Sequence, residues 1–377
     1  MSSLLSSWKD NPTEIQAELR YKHERILSWI AEQQVDALVI GRHENIAWAT
    51  AGRVDTRIGV LRETGPASLL FTRDGARYYI TSNNEAERLE SEEFDGLGFR
   101  PVTHPWHKNA LTESLPSLAG PRLATDTPLG TATATSLLEL RGALTLSEIR
   151  RYRWLAQAAS AAVEEMALAV QPGDSERHMQ SMLAASLLRQ RIQPSVYLTA
   201  VDDRVRRYPH PVPREAVLVR LAMLGFCARR WGLTVAVTRF VHFGAPSEQL
   251  ISNFAIVRNV AGCLLRATQE GAKSADIFQI AQEAYAELGA AGAEQRHHQG
   301  GAIGYLEREW FAKPGGTEVI LARQAVAWNP SLDGAKCEDT FLYDNGHLEL
   351  LTSTPRLPAV TVRLGSDEVR FSDLLVR

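Results

Sequence analysis

From Glu14 to about Gln34 the apolar residues recur at helical spacing, and VDALVIG (35–41) follows as a short unbroken apolar run. The chain is therefore expected to begin with a helix feeding a buried strand. NIAWATAG (45–52), ASLLFTRDGARYYI (67–80) and a helix-like stretch over 83–90 continue an alternating α/β rhythm, with Asp74-Gly75 as a hairpin turn. These predict a small α/β unit over residues 1–140.

The turn-rich segment 119–128 then leads to a long helix from Ser147 to about Val170, with Ser147 as its expected N-cap. PGDSE (172–176) ends that helix and caps the next. Strands are expected in VLVRLAMLGFCAR (217–229) and WGLTVAVTRFVHFG (231–244), helices over 247–269 and 274–289, and further strands from Glu318 to Val362. A helix pair followed by strands, occurring twice within 141–377, hints at an internal duplication.

Composition changes this picture little: 377 residues, 45% hydrophobic and 23% charged, fit a two-domain globular protein. With 41 Lys+Arg against 44 Asp+Glu, no polybasic surface points to nucleic acid or anionic lipid. Acids and bases interrupt the N-terminal region where a signal peptide needs an apolar segment, and no stretch approaches the roughly 18 apolar residues of a membrane span. Cys227, Cys263 and Cys337 are odd in number and far apart, as expected of reduced thiols. The expectation is a cytoplasmic protein with no nucleic-acid or membrane partner.

Candidate chemistry concentrates in HHQGGAIGYLEREW (297–310). A glycine pair lets backbone approach a ligand closely, and His, Arg and Glu serve proton transfer and charge recognition.

Four stretches, in this order, resemble the pita-bread family of methionine aminopeptidase, Xaa-Pro aminopeptidase, prolidase and creatinase. They are NIAWATAG, GLTVAVTRFVHFG (232–244), GGAIGYLERE (300–309) and AVAWNPSLDGAKCEDTFL (325–342). The resemblance covers nearly the whole chain. It implies an α+β protein, with a pita-bread C-terminal domain over 141–377 and a smaller α/β N-terminal domain of the creatinase/prolidase type over 1–140.

Peptidases of that family hold two divalent metals on two aspartates, one histidine and two glutamates. On the motif alignment those positions fall on Gly225, Ala236, Gly301, Asn329 and Glu338, so only Glu338 keeps a ligating group. One carboxylate does not hold such an ion. A relocated site drawing on His297, His298, Glu309 and Glu338 is disfavoured, because adjacent residues of an extended segment point to opposite faces. No metal and no cofactor are expected.

The resemblance to creatinase, which lacks metal ligands, implies a metal-independent hydrolase of an amide or amidine C–N bond in a small carboxylate-bearing substrate. His210 in RRYPHPVP (206–213) stands where the family carries a substrate-facing histidine. It is either the general acid/base or an ordinary loop histidine. His298 is the alternative base, beside His297, with Gln299 and the Gly300-Gly301 amides as oxyanion donors. Arg308 occupies the place of a family histidine and offers a fork to a carboxylate; Glu309 either joins the site or only pairs with Arg308. Arg239 is expected to support its strand and the substrate site, and Asn329 to bond a substrate amide both ways. Lys336 and Glu338 lie two apart and share a face, to pair or to bracket substrate, and Glu338 joins His210 and His298 as a catalytic candidate.

Cations where acids stood predict a small anionic or zwitterionic substrate. A homodimer is implied, in which the N-terminal domain lends GRVDTR (52–57), with Arg53 and Arg57, to the partner's site; otherwise these are solvated loop charges. Two other readings remain: a non-catalytic pita-bread pseudoenzyme binding a ligand or peptide, and an Xaa-Pro-type peptidase with a rebuilt metal site.

Overall fold

The computed structural model describes residues 9–108, 115, 117–129, 132, 134–364 and 367–377. The described residues divide into two compact units, 9–148 with 231–233, and 149–230 with 234–377. The division falls after Glu148 rather than at residue 140 because the connecting residues pack inward. Lys22 Nζ donates to Glu148 Oε1 at 2.7 Å, and Arg141 Nη1 to Asn45 Oδ1 at 2.9 Å.

In the N-terminal unit, helix α1 (Pro12–Glu32) precedes strand β1 (Ala37–Arg42), as the apolar spacing requires. β2 (Thr64–Thr72), β3 (Arg77–Ser82), β4 (Arg100–His104) and β5 (Leu123–Thr125) complete a mixed sheet in the order β4-β3-β2-β1-β5. Gly75, at φ +88°, makes the β2–β3 hairpin turn as anticipated. Within the α/β rhythm, NIAWATAG supplies most of a helix: α2 runs from His43 to Ala49, and every residue in it is buried. An element covered on all sides has no polar face, so its period cannot be read from sequence.

In the C-terminal unit, α3 (Leu146–Ala169) is capped by Thr145 rather than Ser147. Glu148 N donates to Thr145 Oγ1 at 3.1 Å and Thr145 N to Glu148 Oε2 at 2.7 Å, a reciprocal capping box. α4 (Glu176–Leu188) starts at the expected Ser175 cap. Strands β6 (Gln193–Val201), β7 (Leu221–Arg230) and β8 (Leu233–His242) follow, joined to a later β18 (Leu375–Val376) in the order β18-β8-β7-β6.

Next come α5 (Glu248–Ala267) and α6 (Ser274–Glu287), then β9 (Gly300–Ile303), β10 (Trp310–Phe311), β11 (Arg323–Trp328), β14 (Asp339–Asp344) and β15 (His347–Leu350) in a second sheet, order β10-β9-β11-β14-β15. Small ribbons β12 (Ser331–Leu332)–β13 (Ala335–Lys336) and β16 (Ala359–Leu364)–β17 (Asp367–Ser372) complete the unit. Helix pair and strands thus occur twice in order. Contrary to expectation, α5 is long and apolar enough to cross a membrane; its buried Leu250, Phe254, Val257, Val260, Leu264 and Leu265 pack instead within the unit, which sets it against α6, β13 and β16.

Candidate active site

Four residues of the C-terminal unit converge on Glu338. Its Oε1 accepts from Arg308 Nη2 at 2.9 Å and Asn329 Nδ2 at 3.4 Å; its Oε2 accepts from Thr238 Oγ1 at 2.6 Å and lies 3.7 Å from Lys336 Nζ. Burial works to raise the carboxyl, but the Lys336 and Arg308 charges and these donors outweigh it and hold it at about 2. The carboxylate is therefore ionised and compensated by cations belonging to the chain. As the two-residue spacing suggested, Lys336 and Glu338 pair.

The residues at the family's metal positions do not fit a pair of divalent ions. Gly225 and Gly301 offer no ligand, and their places are occupied. A Cβ at Gly301 would stand 2.0 Å from Trp310 O, and one at Gly225 3.0 Å from Thr238 Oγ1. Ala236 is buried with its N–H donated to Thr340 Oγ1 at 2.9 Å. The close approach that the glycine pair permits is thus to neighbouring strands. Gly301 pairs with Phe311 on one side and Ala327 on the other, and a Cβ at Gly300, where φ is +96°, would lie 2.1 Å from Ala327 O. Strand pairing on both sides corrects the expectation that these glycines form an oxyanion hole.

The histidines do meet. His210 Nε2 and His297 Nε2 are 2.9 Å apart, and ring centroids are separated by 4.3 Å for His297–His298 and 5.3 Å for His210–His298. The opposed directions expected of His297 and His298 fail because the segment bends at His297 before β9 begins, so the alternation of a strand does not apply. Burial first, then Lys336, lowers His297 to about 2; burial and Arg308 lower His298 to about 3; burial and Lys336 also lower the more exposed His210. All three are neutral imidazoles at neutral pH, able to accept a proton or a cation.

His297 and Lys336 line one side of an inner cavity of about 40 Å³, with Arg206, Tyr208, Arg296 and Ser331 around them. A groove of about 780 Å³ shares Arg206, Tyr208 and Arg296 and adds Arg207. Several buried polar atoms here have no hydrogen-bond partner: Lys336 Nζ, Arg308 Nε, Asn329 Oδ1 and His298 Nδ1. Such a set is expected where a polar ligand completes a site.

The other predicted residues are placed differently. Gln299 Nε2 donates to His297 O at 2.6 Å, so it fixes the histidine segment instead of facing an oxyanion. Glu309 Oε1 accepts from Tyr305 N at 2.8 Å and Leu306 N at 3.3 Å and shapes the turn before β10, while Arg308 pairs with Glu338. Arg239 is a buried strut, bonded to Asp339 Oδ1 at 2.7 Å, Thr354 Oγ1 at 2.8 Å and Thr352 O at 2.6 Å, which leaves nothing to offer substrate. Asn329 keeps only its carbonyl oxygen free, its amide being given to Glu338. Arg53 and Arg57 lie in the N-terminal unit, on Asp10 and Asp55 respectively. Sequence reasoning missed Ser331, which bonds His297 Nδ1 at 3.1 Å, and the arginines beside Tyr208. The signal was the Arg206-Arg207 pair just ahead of His210.

Comparison with known proteins gives the same fold. The family model for metallopeptidase family M24 matches residues 150–345. An uncharacterized peptidase of Staphylococcus haemolyticus is 23% identical over 356 residues, covering 88% of this chain and 98% of that one. An Xaa-Pro dipeptidase from Bacillus anthracis superposes with a TM-score of 0.72 at 20% identity, over 95% of this chain and 100% of that one. The N-terminal domain of a FACT complex subunit from Cicer arietinum superposes with a TM-score of 0.63 at 11% identity, over 90% and 95% of the two chains.

Proposed function

The chain belongs to metallopeptidase family M24, and within that family we propose that it hydrolyses an amide or amidine C–N bond in a small carboxylate-bearing substrate without the two-metal centre. The observation that carries this reading is the Lys336 ammonium, buried and without a hydrogen-bond partner in the cavity that His297 also lines. It is a ready anchor for a carboxylate, and a neutral base stands beside it.

In this reading His210 takes a proton from water, and the water oxygen bonds to the carbon of the C–N group. The electron pair of the C=O or C=N bond moves to its heteroatom. As that pair returns, the C–N bond breaks and the leaving nitrogen takes the proton back from the imidazolium. His297, 2.9 Å from His210 Nε2, orients the base and is itself held by Ser331. Its unusually low proton affinity keeps the relay uncharged between turnovers.

The test is turnover of N-acylated and guanidino acids by chelator-treated protein. His210→Ala is expected to lower the rate about 10²–10⁴-fold while calorimetric binding of the same acid persists. An unchanged rate in that variant, or activity that disappears with chelator and returns with manganese, sinks the proposal.

A homodimer and a cytoplasmic setting belong to the same reading. Ile58 (69% exposed) and Leu61 (93% exposed) stand out from the loop that carries Arg57, which favours a partner surface there. The three free thiols fit a reducing compartment.

A further inference from the structure

The three imidazoles have a second capacity, as ligands. We propose that His210, His297 and His298 form a tridentate site for one divalent transition ion of the zinc class, separate from the carboxylate cluster at Glu338. One nitrogen from each ring lies within 4.8 Å of one from each of the others. Ions of this class hold their nitrogen ligands at about 2.0–2.1 Å, so ligand nitrogens about 3–3.5 Å apart surround one ion, and the 2.9 Å His210–His297 separation is already close to that.

The surroundings orient the rings as a ligand set requires. Ser331 Oγ bonds His297 Nδ1 at 3.1 Å, which leaves Nε2 as the nitrogen turned to His210. His298 carries a buried Nδ1 without a hydrogen-bond partner, and its ring packs on Phe311 at 4.7 Å between centroids. His210 is exposed and supplies the way in, while His297 is 8% exposed and forms the wall.

Ligand chemistry selects the ion. Three neutral nitrogens suit zinc, cobalt, nickel or copper, whereas magnesium and calcium need oxygens, and the nearby carboxylate of Glu338 is already held by Arg308 and Lys336. Those two cations set against one carboxylate leave a net positive charge beside the site. The bound ion is therefore expected to bring an anion as its fourth ligand, and its affinity is expected to rise when Lys336 is replaced by Met. An ion held between His210 Nε2 and His297 Nε2 displaces the hydrogen bond by which His297 orients the base, so the ion should inhibit hydrolysis. This last consequence rests on the function proposed above; the site itself does not.

The experiment strips the full-length protein with chelator and titrates it with cobalt(II), reading visible absorption, and then measures zinc per chain after gel filtration. One equivalent, with the intense bands of four-coordinate cobalt, is expected. His298→Gln and His210→Gln should each weaken binding about tenfold or more, and circular dichroism checks that both remain folded. No stoichiometric uptake by the wild-type chain, or wild-type affinity retained in both variants, overturns the site. Stripped protein that hydrolyses substrate and is inhibited by zinc upholds both readings. Stripped protein that is inert and revived by zinc keeps the ion site and removes both the inhibition and the metal-independent hydrolysis.

Discussion

Lys336 Nζ stands 3.7 Å from Glu338 Oε2, with the two side chains 3% and 6% exposed. A buried carboxylate is tolerable only with its charge compensated, and here Arg308 at 2.9 Å completes the compensation. Glu338→Gln leaves two buried cations facing a neutral amide, whereas Lys336→Met leaves Glu338 its arginine. The first is expected to cost about 3–5 kcal/mol and the second clearly less, measured by urea unfolding at pH 7. The reverse order would mean that Lys336, not Glu338, is the centre of the cluster.

Gly301 and Gly225 differ in what lies against them. Gly301→Ala forces a methyl to within 2.0 Å of Trp310 O, a backbone atom, while Gly225→Ala meets a threonine hydroxyl at 3.0 Å. The alanine at 301 should lower the melting temperature strongly or prevent folding, and the one at 225 should be the milder change. Thermal unfolding of the pair decides it.

Acid should destabilise this protein earlier than carboxylates alone require. His297 and His298 titrate at about 2 and about 3 when folded, against an ordinary 6.5. As pH falls below 6.5 the unfolded chain takes up protons that the folded chain refuses, so stability present above 6.5 is lost progressively toward pH 3 and 2. The loss is on the order of 1 kcal/mol per pH unit for each group, less for the partly exposed His298. Melting temperatures between pH 7.5 and 5 should fall, and His297→Gln should flatten the slope. A flat wild-type profile over that interval contradicts the burial argument.

If the exposed loop is a dimer surface, Leu61→Asp should yield monomer in light scattering while the wild-type chain runs as a dimer. Wild-type monomer at micromolar concentration removes the proposed contribution of Arg53 and Arg57 to a second site.

Much of this architecture can be read from residue patterns, because α1, α5 and α6 bury one face and show their period, and the buried strands β1, β7 and β8 stand out as apolar runs. α2 could not be, since a fully buried element has no polar face to mark its turn. Nor could the Thr145 cap be chosen over Ser147, as the box depends on Glu148 folding back. At the site, the two-residue spacing allowed Lys336 and Glu338 either to pair or to bracket a substrate, and the structure has them paired. The Arg308–Glu338 bond links residues thirty apart in sequence, and the meeting of His210 with His297 links residues 87 apart. Such contacts depend on how loops close, which a motif does not encode. Glycines at 300 and 301 signalled close approach correctly, but the approaching group is a strand.

A carboxylate whose counter-charges are side chains of its own polypeptide is finished when folding is finished. If the centre works without metal, as proposed above, Glu338 waits for no loading step, and neither scarcity of trace elements nor exchange of one for another alters its partners. Arg308 and Lys336 are synthesised with it in fixed stoichiometry, so that part of the pocket has the same composition in every copy a cell makes.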